Sequence, residues 1–223
     1  IIKLIDSEKT SAVLMELDED IREKILQKLS AKEIAEEVEE LDSDDAADII
    51  GELSEERQEA VMSQIEDEEH VKEIEELLTY DEDSAGGLMA KELVKVNENW
   101  NVLKCVREMR SQAEEVTRVH SIYVVDDDEK LKGRLSLKDL LITSTKTAIS
   151  EVYIPKVDFV NVHDDLDEVS NKMRKYDLEA IPVVDNDGVL LGRITIDDGD
   201  QLYHHRIVIL HHHLSSVLIG AFD

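Results

Sequence analysis

Ile122-Tyr123-Val124-Val125-Asp126, with Gly133, Ser136 and Asp139 downstream, returns 59 residues later as Ile181-Pro182-Val183-Val184-Asp185, Gly192, Thr195 and Asp198. An apolar, β-branched run ending on an acid reads as a strand and a turn, and Ser or Thr three residues ahead of Asp reads as a helix start. The preceding part repeats less literally: Leu93-Val94-Lys95-Val96 matches Phe159-Val160-Asn161-Val162 and Leu103 matches Val169, now 66 residues apart. A seven-residue insertion near Ser111 to Thr117 reconciles the two offsets. Each copy therefore predicts an extended segment, helix, strand, acidic turn, second strand and second helix. Two copies of one small α/β module are expected to pack face to face about a pseudo-twofold axis.

Upstream of this duplication the period becomes helical. Leu17, Leu29, Leu41, Leu53, Ile65 and Leu77 recur every twelve residues, and four are followed by N-cap residue types, Asp18, Ser30, Asp42 and Ser54. Ser30 and Glu33 have the spacing of a capping box. Ile21, Ile25, Leu26 and Leu29, and again Ile34, Ala35, Val38 and Leu41, predict one apolar stripe per helix. With no Pro and no strand-like alternation before residue 80, residues 1–80 read as an all-α superhelix of stacked helix pairs. The run Tyr80-Asp81-Glu82-Asp83-Ser84-Ala85-Gly86-Gly87-Leu88-Met89 breaks the helical period, and its two glycines read as a domain hinge. The expected fold is α+β: an acidic helical-repeat domain over 1–80, α/β modules over 81–140 and 141–198, and an unassigned tail over 199–223.

The chain carries 25 Lys+Arg against 54 Asp+Glu, a formal net charge of −29 over 223 residues. Phosphate backbones and anionic lipid surfaces are repelled by such a surface, so nucleic acid is not an expected partner. Because 42% of the residues are hydrophobic and placed periodically, the acid excess belongs to folded segments, and cations are the obvious charge sink. A lone cysteine, Cys105, closes no internal disulfide, and no signal-peptide pattern opens the chain, which predicts a cytosolic compartment. The apolar stretch from Ile207 to Ile219 is interrupted by His211, His212 and His213 and is too short for a bilayer span. Opening on Ile1 rather than Met, the chain reads as part of something longer.

Strand, acidic turn, G-x-x-[ST]-x-x-D and helix, present twice as Gly133 to Asp139 and Gly192 to Asp198, resemble the cystathionine-β-synthase-type (CBS) domain pair. Asp44-Asp45-Ala46-Ala47-Asp48 in the helical repeat, Asp83 to Met89 at the boundary, and Lys175-Tyr176-Asp177 before Ile181 extend the likeness. Over residues 10–198 the chain resembles the cytosolic region of the MgtE-type magnesium transporters. The resemblance implies a homodimer formed through CBS modules and a parent Mg²⁺ channel at the cytoplasmic face of the cell membrane. Its membrane pore domain, which this chain lacks, would close when cytosolic Mg²⁺ is sensed.

Mg²⁺ prefers six oxygen ligands and releases water reluctantly, so weak sensing sites use one or two carboxylates and retained waters. Asp44 and Asp48, four residues apart, share one helix face, where they also suit an acidic first turn that complements the helix dipole. The family likeness favours the cation reading. In the second module Asp164, Asp165, Asp167 and Glu168 open a helix; Asp164 is the expected cap, leaving Asp165 and Asp167 as cation candidates. Asp177, and then Asp197 and Asp198, complete the candidate metal set if folding brings these acids to one module surface. Unit charges at ~4 Å interact by roughly 4 kcal/mol at an effective dielectric of 20, so bridging Mg²⁺ would favour a compact form over repelling domains.

In CBS pairs the motif hydroxyl meets phosphate and the Asp holds ribose, so Ser136, Asp139 and Thr195, with Asp198, resemble a site for ATP or another adenine nucleotide. The same residues also suit simple helix capping. Gly86-Gly87 lacks the ending of a P-loop, Cys105 and Trp100 read as packing residues, and His204, His205 and His211 to His213 lack a defined ligand geometry. No catalytic signature emerges, so enzyme activity is not expected. Alternatives to a Mg²⁺ sensor are a nucleotide-responsive CBS module and a structural docking adaptor.

Overall fold

The structure, a computed structural model, describes residues 7–113, 116, 119 and 121–196. Six short helices come first: α1 Ser7–Met15, α2 Glu19–Leu26, α3 Ala31–Val38, α4 Ser43–Gly51, α5 Glu55–Met62 and α6 Glu68–Leu77. Apolar stripes are clearest on α3, α4 and α6, and the stack packs next-but-one neighbours, α1 on α3, α3 on α5 and α4 on α6. Asp18, Ser30, Asp42 and Ser54 occupy the N-cap positions of α2 to α5. Ser30 and Glu33 form the full capping box. Ile21 departs from the expected stripe: it is 46% exposed, and the neighbouring Arg22 takes the inward position to pair with Glu52 at the end of α4.

The first module comprises β1 Val94–Asn97, α7 Val102–Gln112, β2 Ile122–Val125, β3 Leu131–Leu135 and α8 Leu137–Ile142. A two-residue strand, β4 Ile154–Pro155, leads to β5 Val160–Asn161, α9 Leu166–Tyr176, β6 Ala180–Val184 and β7 Leu190–Thr195. The sheets run β1-β2-β3-β4 and β5-β6-β7, each opening with a parallel pair and continuing antiparallel. Register corrects the expected alignment of the copies. Val96 stands opposite Val124 and Val160 opposite Val183, so the early halves are offset by 64 residues rather than 66. The helix caps Asn101 and Asp165 keep that offset, and the insertion is five residues, not seven. Val-Lys-Val and Val-Asn-Val alternate with period two, so a slip of two residues preserves every inward face and escapes a pattern match.

The pseudo-twofold relation appears in the backbone. Leu131 N–H donates to Gly188 O at 2.9 Å, and Leu190 N–H donates to Glu129 O at 3.0 Å, the same bond with the copies exchanged. The linkers are exchanged too. Ala90, ahead of the first module, bonds in both directions to Arg193 on β7 of the second, while β4, ahead of the second module, pairs with β3 of the first. These crossings explain the repeated glycines: a Cβ on Gly192 would sit 2.6 Å from the Ala90 carbonyl, and one on Gly133 would strike the Ile154 carbonyl.

Gly86 and Gly87, expected as a hinge, are closely packed. Gly86 N–H donates to Val162 O, and a Cβ there would lie 2.6 Å from the Tyr80 ring. Gly87 is equally close to the Asp81 backbone. The glycines let the linker lie flat against the second module. Around them one buried core runs from Ile34 and Ile49 through Ile74 and Met89 to Val160, Ile181 and Ile194, so the helical array shares its core with the second module. The first module keeps a separate core around Val96, Cys105, Val124 and Ile149.

A candidate cation site where the helices meet the modules

The start of α4 is completed by a residue from far along the chain. Asp42 holds the N-cap position but makes no side-chain cap bond. Glu92 does that work: Ser43 N–H and Ser43 Oγ–H donate to its two carboxylate oxygens, each at 2.9 Å, and Lys91 N–H donates to Ser43 Oγ at 2.9 Å. Asp42 instead meets Arg193 from β7, whose guanidinium lies 3.2 Å from Asp42 Oδ2 and donates through Nε to Glu92 O at 2.6 Å. The Arg193 side chain is only 7% exposed, so this fork pins helix, linker and second module together out of water.

Asp42, Asp44 and Glu92 thereby place carboxylate oxygens within 4.8 Å of one another. Burial, and then the charge of Asp42, pushes the Glu92 carboxyl above its ordinary range. Asp48 lies one turn further along α4 and is exposed. The cluster opens onto a cleft of about 900 Å³ between α6, the linker and both modules, lined by eight carboxylates and two lysines. Within it, burial raises the Glu73 carboxyl to about 7, with Glu92 and Glu69 adding to the rise and Lys91 opposing it. Lys91 Nζ is itself 2.8 Å from Glu76.

The second-module acids are arranged differently from the expectation. Asp165, not Asp164, caps α9, accepting from Glu168 N–H at 2.8 Å, while Asp164 accepts from Asn161 N–H at 2.8 Å and closes the preceding turn. The backbone decides this, because Ser84 bridges to Asp165 and Ala85 N–H takes the Asp164 carbonyl. Asp167 is exposed in the first turn, whereas Asp177 caps the other end of α9 in the left-handed conformation at φ 52°. At 1.5 Å per residue the helix is about 16 Å long, so Asp165 and Asp167 do not share a site with Asp177. Asp197 and Asp198 lie outside the described residues, as does the histidine-rich tail. Ser136 caps α8, accepting from Asp139 N–H at 3.4 Å, and Thr195 is buried at the end of β7 opposite Ala180.

Sequence reasoning passed over Glu92, Arg193, Glu73 and His70. Arg134 and Arg193 follow equivalent glycines, yet Arg134 is exposed and Arg193 buried. Only docking of the helical array on one of the two modules separates them, and no local pattern encodes that choice.

Two modules with exchanged linkers, one carrying a docked helical array, define a CBS-domain pair. The CBS domain description fits residues 85–144 and 149–198, and the MgtE intracellular N domain fits residues 1–83. The chain belongs to the MgtE magnesium-transporter family. It is 43% identical over 119 residues to the magnesium transporter MgtE of Thermus thermophilus, 53% of this chain and 26% of that protein. The Enterococcus faecalis MgtE is 36% identical over 121 residues, 54% of this chain and 27% of that protein. The chain thus spans about a quarter of the length of these curated relatives. The fold is similar to the crystal structure of the cytosolic domain of the Mg²⁺ channel MgtE in complex with ATP. That likeness has a TM-score of 0.83 and 35% identity, covering 90% of this chain and 82% of that one. Among the described residues no helix is long and apolar enough to cross a membrane.

Proposed function

We propose that this chain is the Mg²⁺-sensing regulatory region of a magnesium channel. It lies at the cytoplasmic face of the cell membrane and favours pore closure when Mg²⁺ holds the helical array against the CBS pair. The observation that carries the reading is the convergence of Asp42, Asp44 and Glu92 across the junction of array and modules. All three offer oxygen, the donor Mg²⁺ prefers, and Asp48 extends the acidic face of α4 by one turn. Arg193 already neutralises part of the cluster, which suits a weak site answering to millimolar ion rather than a permanent cage. Mg²⁺ that keeps several waters needs few protein ligands, and at ~10 times its dissociation constant it would stabilise the docked form by about 1.4 kcal/mol.

Transmission needs a second copy and a pore. Leu137, Leu141 and Ile142 on α8 are 59%, 79% and 74% exposed, an apolar face that a homodimer through the CBS modules would cover. The pore domain of the same parent protein would read the change. Asp165, Asp167, Asp177, Asp197 and Asp198 stay in the proposal as secondary cation contacts to parts beyond the described residues. An adenine nucleotide at Ser136, Asp139 and Thr195 is a second reading, favoured by the ATP held by a structural relative.

Small-angle scattering and limited proteolysis with and without millimolar Mg²⁺ test the sensor. Compaction and protection of the segment around residues 78–92 are expected with Mg²⁺ and not with ATP alone. Asp44→Ala with Asp48→Ala should blunt both effects. An unchanged radius of gyration and unchanged cleavage on adding Mg²⁺ would contradict the reading.

A further inference from the structure

The cleft beside α6 holds a donor set of a different chemical kind. His70 and Glu73 are three residues apart on α6 and therefore share a face. His70 Nδ1 stands 4.0 Å from Glu73 Oε2, and donor atoms of His70, Glu73 and Glu92 all lie within 4.8 Å of one another. The imidazole is oriented from behind: Nε2 is 3.3 Å from Val38 O, which only accepts, so Nε2 donates there and Nδ1 is the nitrogen turned toward Glu73. A metal-binding histidine is typically held in this way, its remote N–H donated to a carbonyl.

Glu92 arrives on the same side from the linker, its carbonyl fixed by Arg193 and its carboxylate by Ser43. The nearby Lys91 ammonium is engaged by Glu76. One neutral imidazole and two carboxylates carry a charge of minus two, which a dication balances, and a nitrogen donor selects against Mg²⁺. We propose that His70, Glu73 and Glu92 form a binding site for a borderline transition-metal dication of the Zn²⁺ or Co²⁺ class, joining α6 to the linker. The site differs in kind from the all-oxygen cluster but shares Glu92 with it, so the two ions compete for that carboxylate and the site is tested without Mg²⁺.

The tail histidines are first removed as competing ligands by His204→Ala, His205→Ala, His211→Ala, His212→Ala and His213→Ala in the full chain. Co²⁺ is then titrated in the absence of Mg²⁺ and followed by visible absorption, with Zn²⁺ uptake measured by calorimetry. One equivalent of Co²⁺ with ligand-field bands, displaced by Zn²⁺, is expected. His70→Gln and Glu73→Gln should each weaken uptake by at least ~10-fold, and Glu73→Gln should leave metal-free thermal unfolding at or above that of the parent. Glu73→Gln relieves the crowding of two carboxylates, so loss of binding by a well-folded variant separates a ligand from a structural residue. Equal Co²⁺ affinity in the parent and both variants, or no uptake once the tail histidines are gone, would overturn the proposal.

Discussion

Gly133 and Gly192 show how one residue can carry a topological fact. Both were legible as repeated positions, but their reason is the exchange of linkers, each of which passes within contact of the opposite module's glycine. Gly192→Ala sets a Cβ 2.6 Å from a backbone carbonyl that has nowhere to go, and should cost about 1–3 kcal/mol, read as a lowered urea midpoint. Asp18, Ser30, Asp42 and Ser54 were legible as N-cap positions, but of these four only Ser30 accepts a cap bond through its side chain. Asp165 was missed in favour of its neighbour because Ser84, in a distant segment, fixes where α9 begins. Cys105, a packing residue by its sequence context, is fully buried beside Met109, where burial pushes its thiol up to about 11. Native protein at pH 8 should therefore react with an aromatic disulfide far more slowly than unfolded protein. Equal rates would show that the site is open to solvent.

At the scale of elements, helices and strands followed from period and turn chemistry, whereas their docking did not. The twelve-residue recurrence predicts a stack of short helices but says nothing about which module they lean on. Arg193 fastens the docked array by reaching Asp42 and the Glu92 carbonyl at once. Truncating a buried, hydrogen-bonded charge partner is expensive, so Arg193→Ala should lower stability by about 3 kcal/mol and open the segment around residues 78–92 to protease. Arg134→Ala, the equivalent change in the other copy, should do neither, because Arg134 is exposed. Arg193→Lys keeps the charge but loses the fork, and should fall between the two. Similar losses for Arg134→Ala and Arg193→Ala would mean that the fork does not fasten the array.

Over the whole molecule, a net charge of −29 surrounds a shared apolar core, so burial and charge oppose each other at the junction of array and modules. The acidic excess pointed to cations from composition alone, and the family was legible in three motifs. The cluster itself was not, because Asp42 and Glu92 are fifty residues apart and meet only after the linker folds back. A homodimer through α8 predicts that Leu141→Asp converts the dimer to a monomer in light scattering without loss of helix content. A dimer that survives this change would place the interface elsewhere. The central claim, that a divalent ion strengthens docking at the start of α4, is tested most directly by amide hydrogen exchange of the full chain with and without Mg²⁺. Millimolar Mg²⁺ should slow exchange in residues 43–53 and 84–92 of the parent and leave Asp44→Asn unaffected, with α7 and α8 unchanged in both. Identical exchange in those two segments whether or not Mg²⁺ is present would contradict it.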